Sequence, residues 1–479
     1  MPAVQHPYVQ GGAISQGDHQ GARKVPWREV YAAAAVAALH AVVLLGRLHP
    51  DELYQAIEPG LFRAFGYGVQ AWEWQAGLRN WAVPGIISWV LRFCAALNVT
   101  DPWAQRAVIE VPQFFLHAAM LAAVWRFSAR RVGPALARWC LWLVALYGPL
   151  VFFGGRTMSE SISVAFLVWG LERLDDERAA PAQMALGGAL LGLGEVARYG
   201  SAAVIAPAML WLLLTRRWRD FGLAAAGGLV VAGGLGALDR LTWGDWFHSF
   251  RVYVDFNLLS GQAVAQFGAL PWYTYLQRFL LPPFAVVGFL AWRRLREQRP
   301  WLFVVAGLGY ALAISATPHK ETRFLYPSLI LLTVAAAPAF VRWASGVLRP
   351  AVGPRWPRDV ARLAVLGGVL FFVLPTPYDA VRQDSFQLTV VAGRELDGQP
   401  ATGVVVVNEG VWGAGGFFYL GHNLPWFCCD VPEDPRFQQA MQDRRFNRLL
   451  TYDDRALNEA LRAGFRVREE RGRAKLLVR

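Results

Sequence analysis

Four short stretches of this 479-residue chain combine the residue types that proton transfer and anion binding require. His49-Pro50-Asp51-Glu52 sets two carboxylates side by side, and Glu58 follows six residues later. A carboxylate placed there can act as a general base; alternatively Asp51, which follows a proline, caps a helix over Leu53–Ile57. Pro318-His319-Lys320-Glu321-Thr322-Arg323 gathers three potentially cationic side chains within five residues, just ahead of an apolar helical run. Free N–H groups at a helix N-terminus favour an anion, and an arginine can grip a phosphate through two parallel hydrogen bonds. The remaining two stretches, Gly154–Ser161 and Glu195–Gly200, each pair an acid with an arginine: Glu160 with Arg156 and Glu195 with Arg198, as structural ion pairs or as anion sites. Aromatic side chains interleaved with charge at Trp72-Glu73-Trp74 and Arg79 suit either an interfacial belt or a platform for stacking sugars, and the later loop with Trp272-Tyr273 reads as an aromatic interfacial helix.

Those residues punctuate a chain that is 55% apolar and only 17% charged, against about 45–50% and about 25% in soluble domains. Runs near the roughly 20 residues a bilayer-crossing helix needs recur as Val30–Gly46, Ala107–Trp125, Ala135–Phe153, Thr157–Trp169, Gln183–Val196, Ser201–Leu214, Phe221–Leu238, Leu276–Trp292, Trp301–Ala316, Phe324–Val341 and Val360–Leu374. The reading is therefore an α-helical polytopic membrane protein with about 11–12 membrane helices. Arginine-rich loops at Arg126–Arg138, Arg173–Arg178, Arg216–Arg219, Arg293–Arg299 and Arg342–Arg362 alternate along the chain, so they share one face, which the positive-inside rule makes cytoplasmic. Arg23, Lys24 and Arg28 put the N-terminal tail, residues 1–27, on that face too. Parity then makes Ala82–Leu97, which carries Pro84 and Arg92, a dipping or interfacial helix. It also places the loops 47–81 and 239–275, and every stretch named above, on the external side.

The first apolar run reads as a signal anchor, because the 20 residues before it are polar. The membrane body covers residues 28–376. From there to Arg479 the sequence turns polar and mixed, enough for a small external α/β domain: Gly403–Asn408 and Lys475–Val478 read as strands, Phe437–Leu450 and Asp454–Ala463 as helices. Trp412, Tyr419 and Trp426 are the aromatics by which it would meet an acceptor. No internal repeat of the kind that builds two-halved transporters is visible. The net charge of +12 comes from 47 basic and 35 acidic residues, with lysine only at Lys24, Lys320 and Lys475. Because the excess lies in the N-terminal tail and the cytoplasmic loops, it is an orientation signal and not a nucleic-acid surface. Four scattered cysteines, with Cys428 and Cys429 adjacent, exclude a disulfide scaffold and supply no C-x-x-C zinc or redox pair.

Taken together, HPDE with Gln55 and EP (His49–Pro59), GYG with WEW (Gly66–Trp74), R-N-W-x-x-P (Arg79–Pro84), RTMSES (Arg156–Ser161), DRLTWGDWF (Asp239–Phe247) with FN (Phe256–Asn257), FGALPWYTY (Phe267–Tyr275) and HKETRFLYP (His319–Pro327) resemble the Alg9-like mannosyltransferases, glycosyltransferase family 22. That family includes the lipid-linked-oligosaccharide and GPI-anchor mannosyltransferases. Glu160 stands where the family commonly has asparagine, and the C-terminal domain, residues 377–479, carries none of its motifs.

The resemblance implies a GT-C-type fold and a polyprenyl-phosphate sugar donor, typically the mannose form. It also implies an inverting displacement at the sugar C1 without metal or cofactor, and a base in the first external loop: Asp51, with Glu52 second. His319, Lys320 and Arg323, with Arg198 in addition, are the expected phosphate ligands. His49, Glu58, Trp72, Glu73, Trp74, Arg79, Arg156, Trp272 and Tyr273 are the expected substrate contacts. The acceptor is a glycan, glycolipid or protein on the external face, and the scarcity of lysine points to a GC-rich bacterial source and its inner membrane. Two other readings fit the same residues: a lipid-linked sugar transporter using Glu160/Arg156 and Glu195/Arg198 as relays, and a transferase of the aminoarabinose or protein O-mannosyl kind. A single cavity lined by Asp51 and His319 would favour an enzyme.

Overall fold

The computed structural model describes residues 24–43, 50–279, 281–352, 380–407, 415–429 and 433–479. His49, Trp412 and the expected span Val360–Leu374 lie outside the described residues.

Helix Pro102–Val132 is the longest element, and its ends show why the chain folds locally as it does. The Asp101 side chain accepts from the backbone N–H of Trp103 and Ala104, both at 3.0 Å, while Pro102 occupies the first turn, where an N–H is dispensable. The helix stops at Gly133, whose φ of +78° an L side chain resists. Its 31 residues reach about 46 Å at 1.5 Å per residue, well beyond a bilayer core of about 30 Å.

Three described helices, Pro102–Val132, Trp218–Thr242 and Thr322–Val347, are long and apolar enough to cross a membrane, and two bent helix pairs would raise the number to five. The chain is a multi-pass membrane protein. Other expected spans form shorter helices, among them Trp27–Val43, Ser159–Asp175, Pro181–Ala197 and Ala202–Leu214. Helix Ala82–Ala96 is about 22 Å long. It buries Ile87, Leu91 and Cys94 and exposes Ile86, Trp89 and Phe93 on its other side.

Two expected spans are not continuous. Ala135–Phe153 divides into Pro134–Ala145 and Gly148–Gly154, bent by 70° where Pro149 begins a new helix. Leu276–Trp292 becomes Thr274–Arg278, Pro283–Leu290 and Trp292–Gln298, because Pro282 and Pro283 withdraw two successive N–H donors.

Buried leucine, valine and alanine side chains such as Leu121, Leu141, Leu167, Leu331 and Val334 join the helices into one apolar core. Helices Pro181–Ala197 and Trp218–Thr242 cross at a separation only glycine permits: a Cβ on Gly188 would strike the Ala224 backbone, and one on Gly227 that of Ala185.

One end of the bundle collects the arginine-rich loops. Arg130 pairs with Glu172, Arg131 reaches Asp175 at 2.8 Å and the Gln298 carbonyl at 2.8 Å, and Arg217 donates to the Leu174 carbonyl at 2.7 Å. Four loops that charge alternation assigns to one face thus meet there.

At the opposite end lies the C-terminal unit, in which helix Ala380–Ala392 and helix Gly416–Leu420 accompany a five-stranded sheet. Its strands are β1 (Val404–Val407), β2 (Trp426–Cys429), β3 (Arg448–Thr451), β4 (Arg466–Arg471) and β5 (Ala474–Val478), ordered β2-β1-β3-β5-β4. β1 runs parallel to β2 and β3; β5 is antiparallel to β3 and β4. Both outer faces of β1 are covered, which explains its unbroken valine run. The expected helix Phe437–Leu450 is shorter: helix Pro435–Gln442 ends, and Arg448–Leu450 belong to β3, completely buried. Cys428 and Cys429 sit on successive positions of β2, facing opposite sides of the sheet.

Candidate active site

Asp51 and Glu52 stand in a short helical turn, Pro50–Glu52, that passes into a π-turn, Leu53–Ile57, and then into helix Glu58–Phe65. Neighbouring residues in a helix diverge by about 100°, so the two carboxylates serve different surroundings. Asp51 faces a cavity of about 290 Å³. Glu52 is 3% exposed and turned into the protein, paired with Arg106 and 3.4 Å from Arg156.

The cavity assembles from parts far apart in sequence. The first loop supplies Asp51, Gln55, Trp72, Glu73 and Arg79; the second large loop supplies Tyr253, Phe256, Asn257 and Phe267; Arg198, His319, Glu321 and Arg323 complete it. Hydrogen bonds fasten these parts together. Asn80 donates to the Val196 carbonyl at 2.8 Å and to the Tyr199 hydroxyl at 3.0 Å. That hydroxyl lies 2.5 Å from Ser249 Oγ, which donates to Asp239 Oδ2 at 2.6 Å. Asn80 and Asp239, both from the sequence motifs, therefore act as fasteners behind the cavity wall.

Positive and negative charge are interlocked. Arg323 donates to Asp51 Oδ2 at 2.5 Å and to both Glu321 oxygens at 2.7 and 3.1 Å, and approaches Glu160 Oε1 to 3.3 Å. The same Glu160 oxygen lies 2.8 Å from Arg198, which also donates to Ser159 Oγ at 3.2 Å. Glu160, fully buried, thus bridges the two guanidiniums from behind. On the facing wall Arg79 donates to Glu73 at 2.7 Å. Burial opposes the charge on Arg79, but Glu73 and Asp51 outweigh it and hold the guanidinium above its ordinary value. His319 Nε2 is 3.1 Å from Glu321, and its ring packs on Phe267 with centroids 4.6 Å apart.

Of the residues the sequence marked, Asp51, His319, Arg323, Arg198, Trp72, Glu73 and Arg79 line this cavity. Others do not, each for a visible reason. Lys320 turns away, donating to the Thr317 carbonyl beneath the Tyr275 ring. Arg156 is buried against Glu52, so the expected Arg156–Glu160 pair gives way to Arg198–Glu160 and Arg323–Glu160. Trp74 is buried, its indole N–H donating to the Tyr54 carbonyl at 3.2 Å. Glu58 is wholly inside, accepting from Val69 N at 2.6 Å and Phe418 N at 2.7 Å. Trp272 and Tyr273 are exposed and outside the cavity.

Sequence reasoning did not single out Gln55, Tyr253, Asn257, Phe267 and Glu321 as wall residues. All but Tyr253 lay within quoted motifs, and Glu321 was masked by the cations around it. Among the described residues no three His, Cys, Asp or Glu side chains come together as a metal-ligand set.

The family model described as the Alg9-like mannosyltransferase family matches residues 30–393. The chain belongs to this family. Among Alg9-like relatives, GPI mannosyltransferase 3 of Yarrowia lipolytica is 30% identical over 330 residues, 64% of this chain and 61% of that protein. Mannosyltransferase APTG1 of Arabidopsis thaliana is 24% identical over 351 residues, 70% and 63% of the two chains. The matched region thus spans about three fifths of the length of these relatives. Among solved structures, ArnT from Cupriavidus metallidurans bound to undecaprenyl phosphate superposes with a TM-score of 0.63 at 15% identity, covering 94% of this chain and 97% of that one. This Alg9-like chain has the GT-C fold.

Proposed function

We propose that the protein transfers a mannosyl group from a polyprenyl-phosphate carrier to a hydroxyl of a glycan or glycolipid acceptor, at the outward face of a bacterial cytoplasmic membrane. The observation that carries this reading is the meeting of Asp51 with Arg323, Arg198 and His319 in one cavity at the end of the bundle away from the arginine-rich loops. Relatives named as mannosyltransferases support the sugar, and the undecaprenyl phosphate in the ArnT structure supports the carrier class.

In the reaction the acceptor oxygen attacks the sugar C1 from the side opposite the phosphate, and the C1–O bond to phosphate breaks, so the anomeric configuration inverts. Asp51 takes the acceptor proton. The polyprenyl phosphate departs with its negative charge compensated by fixed cations, which need no reorganisation at that moment. No metal is required for either task.

Arg323 links both halves. Its guanidinium holds the Asp51 carboxylate; a donor phosphate would compete for the same hydrogen bonds and release Asp51 to accept a proton. Glu160 keeps Arg198 and Arg323 in place meanwhile. A transporter with Glu160/Arg156 as relay is disfavoured, since Arg156 is engaged with Glu52.

Purified protein supplied with polyprenyl-phosphate mannose, and with octyl mannoside as acceptor probe, tests the proposal. Asp51→Asn should reduce turnover by about 10²–10⁴-fold. Near-normal turnover by that variant would remove Asp51 from the base role.

A further inference from the structure

We propose that the C-terminal unit is a brace for the first external loop, with Tyr419 and Glu58 as the positioning residues through which it sets the location of Asp51. The inference rests on the proposed role of Asp51.

Two polar links join the loop to helix Gly416–Leu420. In the first, the two oxygens of the buried Glu58 carboxylate divide their acceptance between the units: Oε2 takes Val69 N–H of the loop at 2.6 Å, and Oε1 takes Phe418 N–H of the C-terminal unit at 2.7 Å. The approach is so close that a Cβ on Gly416, whose φ is +64°, would overlap the Glu58 carboxylate. In the second, the Arg106 guanidinium and the buried Tyr419 hydroxyl interact electrostatically, and Arg106 pairs with Glu52 and Glu110. Glu52 is bonded directly to Asp51, so whatever fixes Glu52 fixes the peptide from which Asp51 extends.

Arg156, 3.4 Å from Glu52, holds the same side chain from the helical body. Glu52 at the start of the π-turn makes no side-chain capping bond, and Asp51 is tied to Arg323, a group the donor must claim. Long-range contacts therefore do the locating. Phe386, Phe418 and Tyr419 share one apolar core with Tyr54, Ile57, Leu61 and Trp74. Tyr419 is 3% exposed, its ring packed 5.2 Å from Trp103 and 4.9 Å from Phe386. The aromatic that the sequence offered as an acceptor platform is instead an internal strut. Reaction rates fall steeply when a catalytic group is displaced by about 1 Å, so a brace of this kind acts on turnover while donor affinity stays unchanged.

The test uses the full-length protein in detergent, with polyprenyl-phosphate mannose and octyl mannoside, and reads both kinetics and amide hydrogen exchange. Tyr419→Phe keeps the ring and removes only the hydroxyl. We expect kcat to drop about tenfold, the donor KM to hold within about twofold, and exchange over residues 50–58 to quicken about tenfold, the scale of one lost polar contact to a charged group. Exchange in β4 and β5 should match the wild type, showing the sheet intact. Glu58→Gln, which can accept only one of the two N–H groups, should give the same pattern independently. Unchanged exchange over 50–58 in both variants overturns the brace, as does unchanged kcat under conditions where Asp51→Asn is inactive. If the wild type transfers nothing from the donor, the proposed reaction fails on its own, and the exchange measurement alone decides the brace.

Discussion

Asp51 opens to the cavity, whereas Glu52 is enclosed by Arg106 and Arg156. Removing one member of a buried ion pair leaves its partner uncompensated, at a cost of about 3–5 kcal/mol. Glu52→Gln should therefore lower the unfolding midpoint in detergent more than Asp51→Asn, whose partner Arg323 keeps Glu160 and Glu321; scanning fluorimetry of both variants checks the contrast. Glu58 gives a pH signature. Burial lifts its carboxyl from the ordinary 4.5 to about 7, against the pull of the N–H groups of Val69, Phe417 and Phe418, and Tyr67 is the titratable group beside it. Between about pH 4.5 and 7 the folded state holds this proton more tightly than the unfolded chain. The resulting stabilisation is complete below 4.5 and fades as pH rises through 7. Thermal unfolding followed from pH 5 to 8 should show that decline in the wild type and a flatter course in Glu58→Gln. The carboxylate pair and the HKETRF cluster were legible in the sequence because their chemistry is crowded into a few residues. Which carboxylate faces the cavity was not, since that depends on Arg106 and Arg156, 54 and 104 residues further along the chain.

Among the elements, apolar length located most helices, and proline decided where the sequence reading failed. Pro149 and the Pro282-Pro283 pair interrupt runs whose hydropathy alone suggested continuity. The valine run of β1 was readable as a strand, whereas β4, with the sequence Arg466–Arg471, carries too many charges to announce itself and forms because β5 offers an antiparallel edge. The tight crossing of helices Pro181–Ala197 and Trp218–Thr242 yields a prediction at this scale. Gly227→Val forces branched carbons against the Ala185 backbone and must drive the helices apart. We expect a loss of folded protein on size-exclusion chromatography together with displacement of Arg198, which follows directly on the first of these helices; retention of wild-type yield and turnover would contradict the crossing.

Across the whole molecule, charge is sorted by end. Arginine loops interlock with Glu172 and Asp175 at one pole, and the cavity with its balanced carboxylates and guanidiniums lies at the other. This polarity was legible from loop composition because the positive-inside pattern is a statistical property of the chain and needs no contacts. The joining of the C-terminal unit to the first loop was not legible: it rests on a backbone N–H of Phe418 and on a tyrosine that resembles a surface aromatic when read in one dimension. A chain ending at residue 379 should consequently expose Tyr54, Ile57 and Leu61 and become sensitive to protease in the loop 50–81, a cleavage that gel analysis of the purified fragment would reveal.

In the proposed reaction the Asp51–Arg323 contact would also order the events of turnover. A base that is masked by the donor's own ligand is useless to an acceptor arriving first, and equally useless to a stray water. The expected outcome is ordered binding, the carrier lipid before the sugar acceptor, which is checked by whether a non-reactive acceptor analogue inhibits uncompetitively with respect to donor.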